Sequence, residues 1–202
     1  EQFLHLKKAI KIIEQSSNHE VKTFRAPALR IGNKTLPILE KLGILTDSSV
    51  SSQRFDGPLT FGSFRKLRWL LAPRNPYFPN KNSPYVRGDS KILEIPVSAF
   101  IAAYQGTTMR ISEGFNDMIG ELLLKETKIT GKPIVFIFHP NEAIIEKHNN
   151  KIVKRSNSLI GSFFGDTLRN KMKISNLGAE SINLLEKVII NAKNKGLNFV
   201  TA

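Results

Sequence analysis

Apolar positions recur at helical spacing from the first residues of the chain. Phe3, Leu6, Ile10 and Ile13 share one face while Lys7, Lys8 and Lys11 take the other, which predicts a helix over residues 1–15. Residues 16–20 are polar and predict a turn. Residues 21–24 (VKTF) predict a short strand ending at Arg25. Pro27 disfavours helical backbone at Ala26 and so predicts an extended turn. Leu36, Leu39 and Leu42 mark a second helix, with Asn33 placed to cap it and Gly43 to end it. Residues 44–47 predict another strand, which runs into the polar Asp47-Ser48-Ser49. Arg25 and Asp47 therefore both fall at strand C-termini, the edge on which α/β folds build their sites.

Residues 51–90 break the pattern. Pro58, Pro73, Pro76, Pro79 and Pro84 alternate with Phe55, Phe61, Phe64, Trp69, Tyr77, Phe78 and Tyr85, predicting a long irregular insertion. The aromatic content argues against disorder. The rings either stack on sugar faces or form a small satellite core, and Trp69, inside LRWLLAP, is expected to be packed. Regular patterning returns at residues 92–98 (ILEIPVS), a strand that Pro96 places near an edge or a strand end. Ser112 is placed to cap a helix reaching Lys128, with Phe115, Met118, Ile119, Leu122 and Leu123 as its apolar stripe. Gly131 and Pro133 break that helix. Residues 134–138 form a continuous apolar run, as expected for a buried parallel strand, and end at His139. A helix around residues 159–170 follows. The next helix, over residues 179–195, carries Ile182, Leu185, Ile189 and Ala192 on one face. Residues 197–201 predict a closing strand. Strand and helix alternate, which favours a parallel α/β sheet or barrel.

Composition changes this picture in two ways. The chain of 202 residues carries 30 Lys+Arg against 17 Asp+Glu, a formal charge of +13, and no cysteine. Disulfides and thiolate metal sites are excluded. The cations are spread along the chain, with local clusters at Arg65, Lys66 and Arg68 and at Lys147, Lys151, Lys154 and Arg155. A solvated basic surface explains them; an acidic glycan or an anionic surface would also fit. No apolar run is long enough for a transmembrane segment. His5, His19 and His148 show no metal-binding spacing. The sequence starts at Glu1 inside a helical pattern, so residues ahead of it are expected in the full protein.

His139 follows an apolar strand and precedes Pro140. There an imidazole can protonate a leaving amine near neutral pH, or simply bond to neighbouring backbone; the residues alone leave these level. Arg25, read as buried, needs a carboxylate partner. Asp47 is placed to be that partner and equally placed to orient His139. Asn141 and Glu142 are lesser polar candidates.

FRAP at residues 24–27, followed by a helix and DSSV at residues 47–50, together with VFIFHPNE at residues 135–142, resembles the polysaccharide deacetylase family. The resemblance implies an α/β fold, a distorted seven-stranded (β/α) barrel lacking its first strands, with residues 1–202 as the C-terminal portion of one catalytic domain. It implies hydrolysis of a non-peptide carbon–nitrogen bond, the N-deacetylation of a cell-envelope or exopolysaccharide sugar. His139 would be the acid. Arg25 would hold a catalytic aspartate. The Ala28 N–H after Pro27 would face the oxyanion, and Phe136 or Phe138, whichever faces the site, would line the acyl pocket. A divalent metal, zinc, is implied as cofactor. Its ligands and the general base are expected ahead of Glu1, because no metal set is visible in this sequence. Ala28 stands where the family has an aromatic residue, and Val50 where it has tryptophan, which bears on substrate preference. The alternative is a degenerate barrel that binds an acidic glycan. A basic nucleic-acid-binding domain ranks third, because no recognised binding motif is present.

Overall fold

The computed structural model describes residues 1–54, 68–145 and 175–201. The helix expected around residues 159–170, His148, Phe55, Phe61, Phe64, Arg65, Lys66 and the lysine-rich cluster after Lys147 lie outside them.

The opening helix, α1 (Gln2–Ser17), ends where Asn18 turns left-handed (φ 56°). None of its residues is fully buried; Leu6 and Ile10 pack against the core and Ile13 is exposed. Strand β1 (Thr23–Phe24) follows, then a 3₁₀ turn, Pro27–Leu29, and α2 (Thr35–Lys41). Asn33 does not cap α2, whose start carries no side-chain cap. Leu36 and Leu39 are fully buried as the periodicity requires, and Gly43 (φ 77°) ends the helix.

Strand β2 (Thr46–Asp47) pairs in parallel with β1 on one side and with β5 (Leu93–Glu94) on the other. The sheet order is β1-β2-β5. Residues 92–98 give only this two-residue strand, but the backbone beyond it stays alongside the chain leaving β2. Ile95 N donates to the Asp47 carbonyl and Val97 N to the Val50 carbonyl, both at 2.8 Å. The architecture is thus mixed α/β with a parallel three-stranded sheet. Among the described residues no closed barrel is formed.

Part of the stretch expected to be irregular is ordered. Strands β3 (Pro79–Asn80) and β4 (Ser83–Arg87) form an antiparallel hairpin, and Trp69, Tyr77 and Tyr85 are buried. Among the described residues these three rings are core, and Phe78 is exposed. Arg74 clamps this stretch to α4 (Glu113–Thr130) through a fork onto the Glu126 carboxylate, both contacts at 2.5 Å. That fork holds the Glu126 carboxyl down at about 2.

A small hairpin of β6 (Ala99–Phe100) and β7 (Ala102–Ala103) leads to α3 (Gly106–Ile111) and α4. Ser112 caps α4 by accepting from Phe115 N, as expected. The buried stripe, however, is Asn116, Ile119, Leu123 and Leu124; Phe115 and Met118 are exposed. The last helix, α5 (Ala179–Asn194), likewise buries Ser181 and Leu184, and Ile182 is exposed. Residues 134–138 do not make a regular strand. They are held at Val135, which bonds Ser98, and at Ile137, which bridges Gln105 in parallel. Residues 197–201, expected to close the sheet, form no strand.

Candidate functional site

The register of the sheet decides what meets at its C-terminal edge. Phe24 pairs with Asp47 and Asp47 with Glu94, so Arg25 and two carboxylates emerge on adjacent strand ends. Glu94 is the residue that sequence reasoning missed. It sat inside an apolar run, and the signal that could have found it was an acid at a strand end in register with Asp47.

Both carboxylates are completely buried. Glu94 Oε1 accepts from Ser49 N at 3.1 Å and Val50 N at 2.9 Å. Asp47 Oδ1 accepts from Ser49 Oγ at 2.5 Å, and Ser49 Oγ itself accepts from Ala26 N at 2.8 Å. The remaining oxygens, Asp47 Oδ2 and Glu94 Oε2, have no donor from elsewhere. The two carboxyls interact, and burial raises the pKa of both. Burial first, then the Asp47 charge, push Glu94 well above the ordinary carboxylate range, which favours its protonated form. Burial raises Asp47 too, against the bonds from Glu94 and Ser49.

Arg25 differs from its expectation. It is not buried: the residue is exposed, and its guanidinium is only partly covered. Nor does it pair directly with Asp47. Nε donates to the Ser48 carbonyl and Nη2 to Ser48 Oγ, both at 2.9 Å. Burial lowers its pKa, while the charges of Asp47 and Glu94 raise it. Because the guanidinium keeps access to water, Arg25→Ala should lower stability by only about 1–2 kcal/mol, the scale of charged hydrogen bonds at a partly wet site. Urea unfolding of the variant measures this.

The turn after Arg25 is strained. Ala28 (φ 53°) and Leu29 (φ 55°) are consecutive left-handed residues without glycine. Each such residue costs on the order of 1–3 kcal/mol, and such strain gathers at functional sites. Leu29 is anchored in the core, and Ala28 is exposed. Pro27 starts the turn and Arg30 N closes onto its carbonyl at 3.1 Å.

His139 is exposed at the end of the apolar segment, with extended backbone. Among the described residues its side chain makes no hydrogen bond or ion pair, so Asp47 does not orient it. Its carbonyl accepts from Glu142 N at 2.8 Å, closing the 3₁₀ turn Pro140–Ala143. That turn is pinned by Glu142, which is buried. Thr107 Oγ1 donates to Glu142 Oε1 at 3.1 Å and Arg110 Nη2 at 3.4 Å. Arg110, also buried, reaches the Ser175 carbonyl, and Gly178 N meets the Glu142 carbonyl at 2.9 Å. Asn141 is exposed, and its carbonyl accepts from Ile144 N at 3.3 Å.

Phe136 and Phe138 do not face Asp47. Phe136 stacks edge-on against Tyr104 at 4.8 Å and lines a cavity of about 340 Å³ between α4, α5 and residues 197–200. Phe138 lies over Gly106 at the start of α3. Ile137, two residues before exposed His139, bridges Gln105 in parallel. Ile137 is buried in the same cluster as Ala26, Leu29 and Val50.

Among the described residues no three His, Cys, Asp or Glu side chains gather within reach of one ion. Asp47 Oδ1 and Glu94 Oε1 are engaged by Ser49 and Val50, and both carboxylates are completely buried. The described residues thus offer no ligand set for the implied zinc, whose ligands are expected ahead of Glu1. No helix among the described residues is long and apolar enough to cross a membrane. The fold and rim define a mixed α/β protein whose polar cluster lies at the C-terminal edge of a parallel sheet. Comparison with protein-family models, curated proteins and solved structures gave no match.

Proposed function

We propose that this chain forms the acid-bearing side of a site for N-acetylated sugars, in a polysaccharide deacetylase-like (β/α) barrel, and that the reaction is hydrolysis of the N-acetyl group. One observation carries this reading. Ile137, two residues before His139, shares its buried cluster with Ala26 and Leu29 of the strained turn and with Val50 after the Asp47 strand. The three sequence elements that carry the resemblance are thus seated on one core.

In this reading His139 holds a proton for the leaving amine, a role suited to an exposed imidazole. The Ala28 N–H is held by its left-handed turn toward the developing oxyanion. Arg25, fixed to Ser48 through Nε and Nη2, has Nη1 left to hold an anionic group at the rim. Asp47 and Glu94 are out of substrate's reach. They fix Ser49 and the strand ends, and do not act on the sugar. A divalent metal, if bound, would polarise the carbonyl; none of these roles depends on it.

A second reading, glycan binding without hydrolysis, is favoured by the formal charge of +13, which suits an acidic glycan. Acetate release from an N-acetylated oligosaccharide by the full-length protein separates the two. For the hydrolase, His139→Ala should cut turnover by ~10²–10⁴-fold with an unchanged melting temperature. Turnover retained in that variant would remove His139 from the chemistry. Absence of acetate release from the parent, with oligosaccharide still bound, would establish the second reading.

A further inference from the structure

Beside this rim lies a second polar feature to which the proposed chemistry assigns no role. A cavity of about 480 Å³ is lined by Gln2, Asn33, Lys34, Thr35, Arg68 and Tyr85, among others. Its volume falls in the range of small-ligand sites. The loop that leaves β1 at its C-terminal end supplies Ile31 to Lys34, which places the cavity on the same face as Arg25. Gln2 Nε2 donates to Thr35 Oγ1 at 3.1 Å and brings the beginnings of α1 and α2 together as one wall. Tyr85 is buried, its hydroxyl donating to the Ile31 carbonyl at 3.4 Å, and gives the cavity a rigid floor.

Its charge is one-sided. Lys34 and Arg68 both line it, and among the described residues no carboxylate does. Among the described residues neither cation has an acidic partner, although Glu40, Glu126 and Glu142 are engaged elsewhere. Two unneutralised cations in a concave polar pocket, with amide and hydroxyl groups around them, make a receptor for an anion carried on a polar ring. Guanidinium and ammonium are the groups that recognise carboxylate and phosphate.

We propose that this cavity binds an anionic substituent of the glycan, a carboxylate or phosphate on a sugar neighbouring the one held at His139. This rests on the rim being the glycan site, and it names the substrate class as acidic. Direct binding to the 202-residue chain tests it, with sodium glucuronate, inorganic phosphate and neutral glucose as probes, read by amide shifts of Lys34 and Arg68. Both anions should bind saturably there and glucose should not. If only glucuronate binds, the carboxylate sugar is the ligand; if only phosphate, the phosphorylated one. Lys34→Gln/Arg68→Gln should weaken binding about tenfold, the sum of two partly exposed ion pairs, and Arg68→Lys should restore part of it. Equal binding of glucose, or unchanged affinity in the double variant, would overturn the proposal. A neutral N-acetylated oligosaccharide distinguishes the two sites. If it still perturbs His139 in the double variant, the rim reading stands whatever the fate of the cavity.

Discussion

Replacing Glu94 by alanine should unfold the sheet edge, at a loss of about 3–5 kcal/mol. The backbone N–H groups of Ser49 and Val50 would lose their common acceptor in a fully buried place. Asp47 would also lose its interaction with Glu94. Glutamine should behave in the opposite way. Its Oε1 can accept from both N–H groups, and its Nε2 carries hydrogens beside Asp47 at every pH. The pH dependence gives the sign. Glu94 has a folded-state pKa raised well above its unfolded value. Its contribution is therefore fully present below the ordinary carboxylate range and is lost as pH rises through the folded value. Glu94→Gln should be close to the parent at pH 5 and more stable than it at pH 8. Urea unfolding at both values measures this. Identical pH slopes for parent and variant would mean that the Glu94 pKa is not raised. Glu126, held low by Arg74 and Lys132, acts in the other direction, losing its contribution as pH falls toward 2. It cancels in the comparison of variant with parent.

Gly106→Ala should have the second large effect, through Glu142. A Cβ on Gly106 would lie 1.8 Å from Glu142 Oε2 and 2.9 Å from its Cδ. The backbone itself tolerates alanine there, and a helical alanine is favoured by roughly 1 kcal/mol over glycine. The clash must therefore be relieved by moving a carboxylate that is buried and pinned by Thr107 and Arg110. Displacing it takes from buried Arg110 its bond to the Glu142 carboxylate, a loss of about 3–5 kcal/mol before the helix gain. Glu142→Ala alone should lose a similar amount. The two together should lose much less than their sum, because the second change removes the atom that the first one strikes. Additive losses in denaturant unfolding would show that Glu142 moves freely and does not pin the turn behind His139.

The helices α1, α2, α4 and α5 were legible because apolar spacing is a local property. Which face is buried was less so. In α4 the expected stripe included Phe115 and Met118, yet the core takes Asn116 and Leu124 instead. Spacing fixes that a helix is amphipathic, whereas neighbours fix its rotation, and those neighbours are far away in sequence. The closing strand failed for a related reason. Residues 197–201 have strand-like residues, but a strand exists only where a partner offers its hydrogen bonds. At the site, Arg25, Ala28 and His139 were visible as motif residues. Their surroundings were not: Ser48 holding Arg25, the interaction of Asp47 with Glu94, and the Arg110–Glu142 pair all join residues more than twenty positions apart or oppose acids that no local pattern brings together.

In the proposed function Arg25, Ala28 and His139 border one site for an N-acetylated sugar. The isotope-labelled 202-residue chain can be titrated with N-acetylglucosamine tetramer and separately with glucosamine tetramer. The Ala28 amide, the Arg25 guanidinium and the His139 imidazole should shift with the acetylated oligomer and much less with the other. Shifts that bypass these three residues, or that are equal for the two oligomers, would contradict this placement.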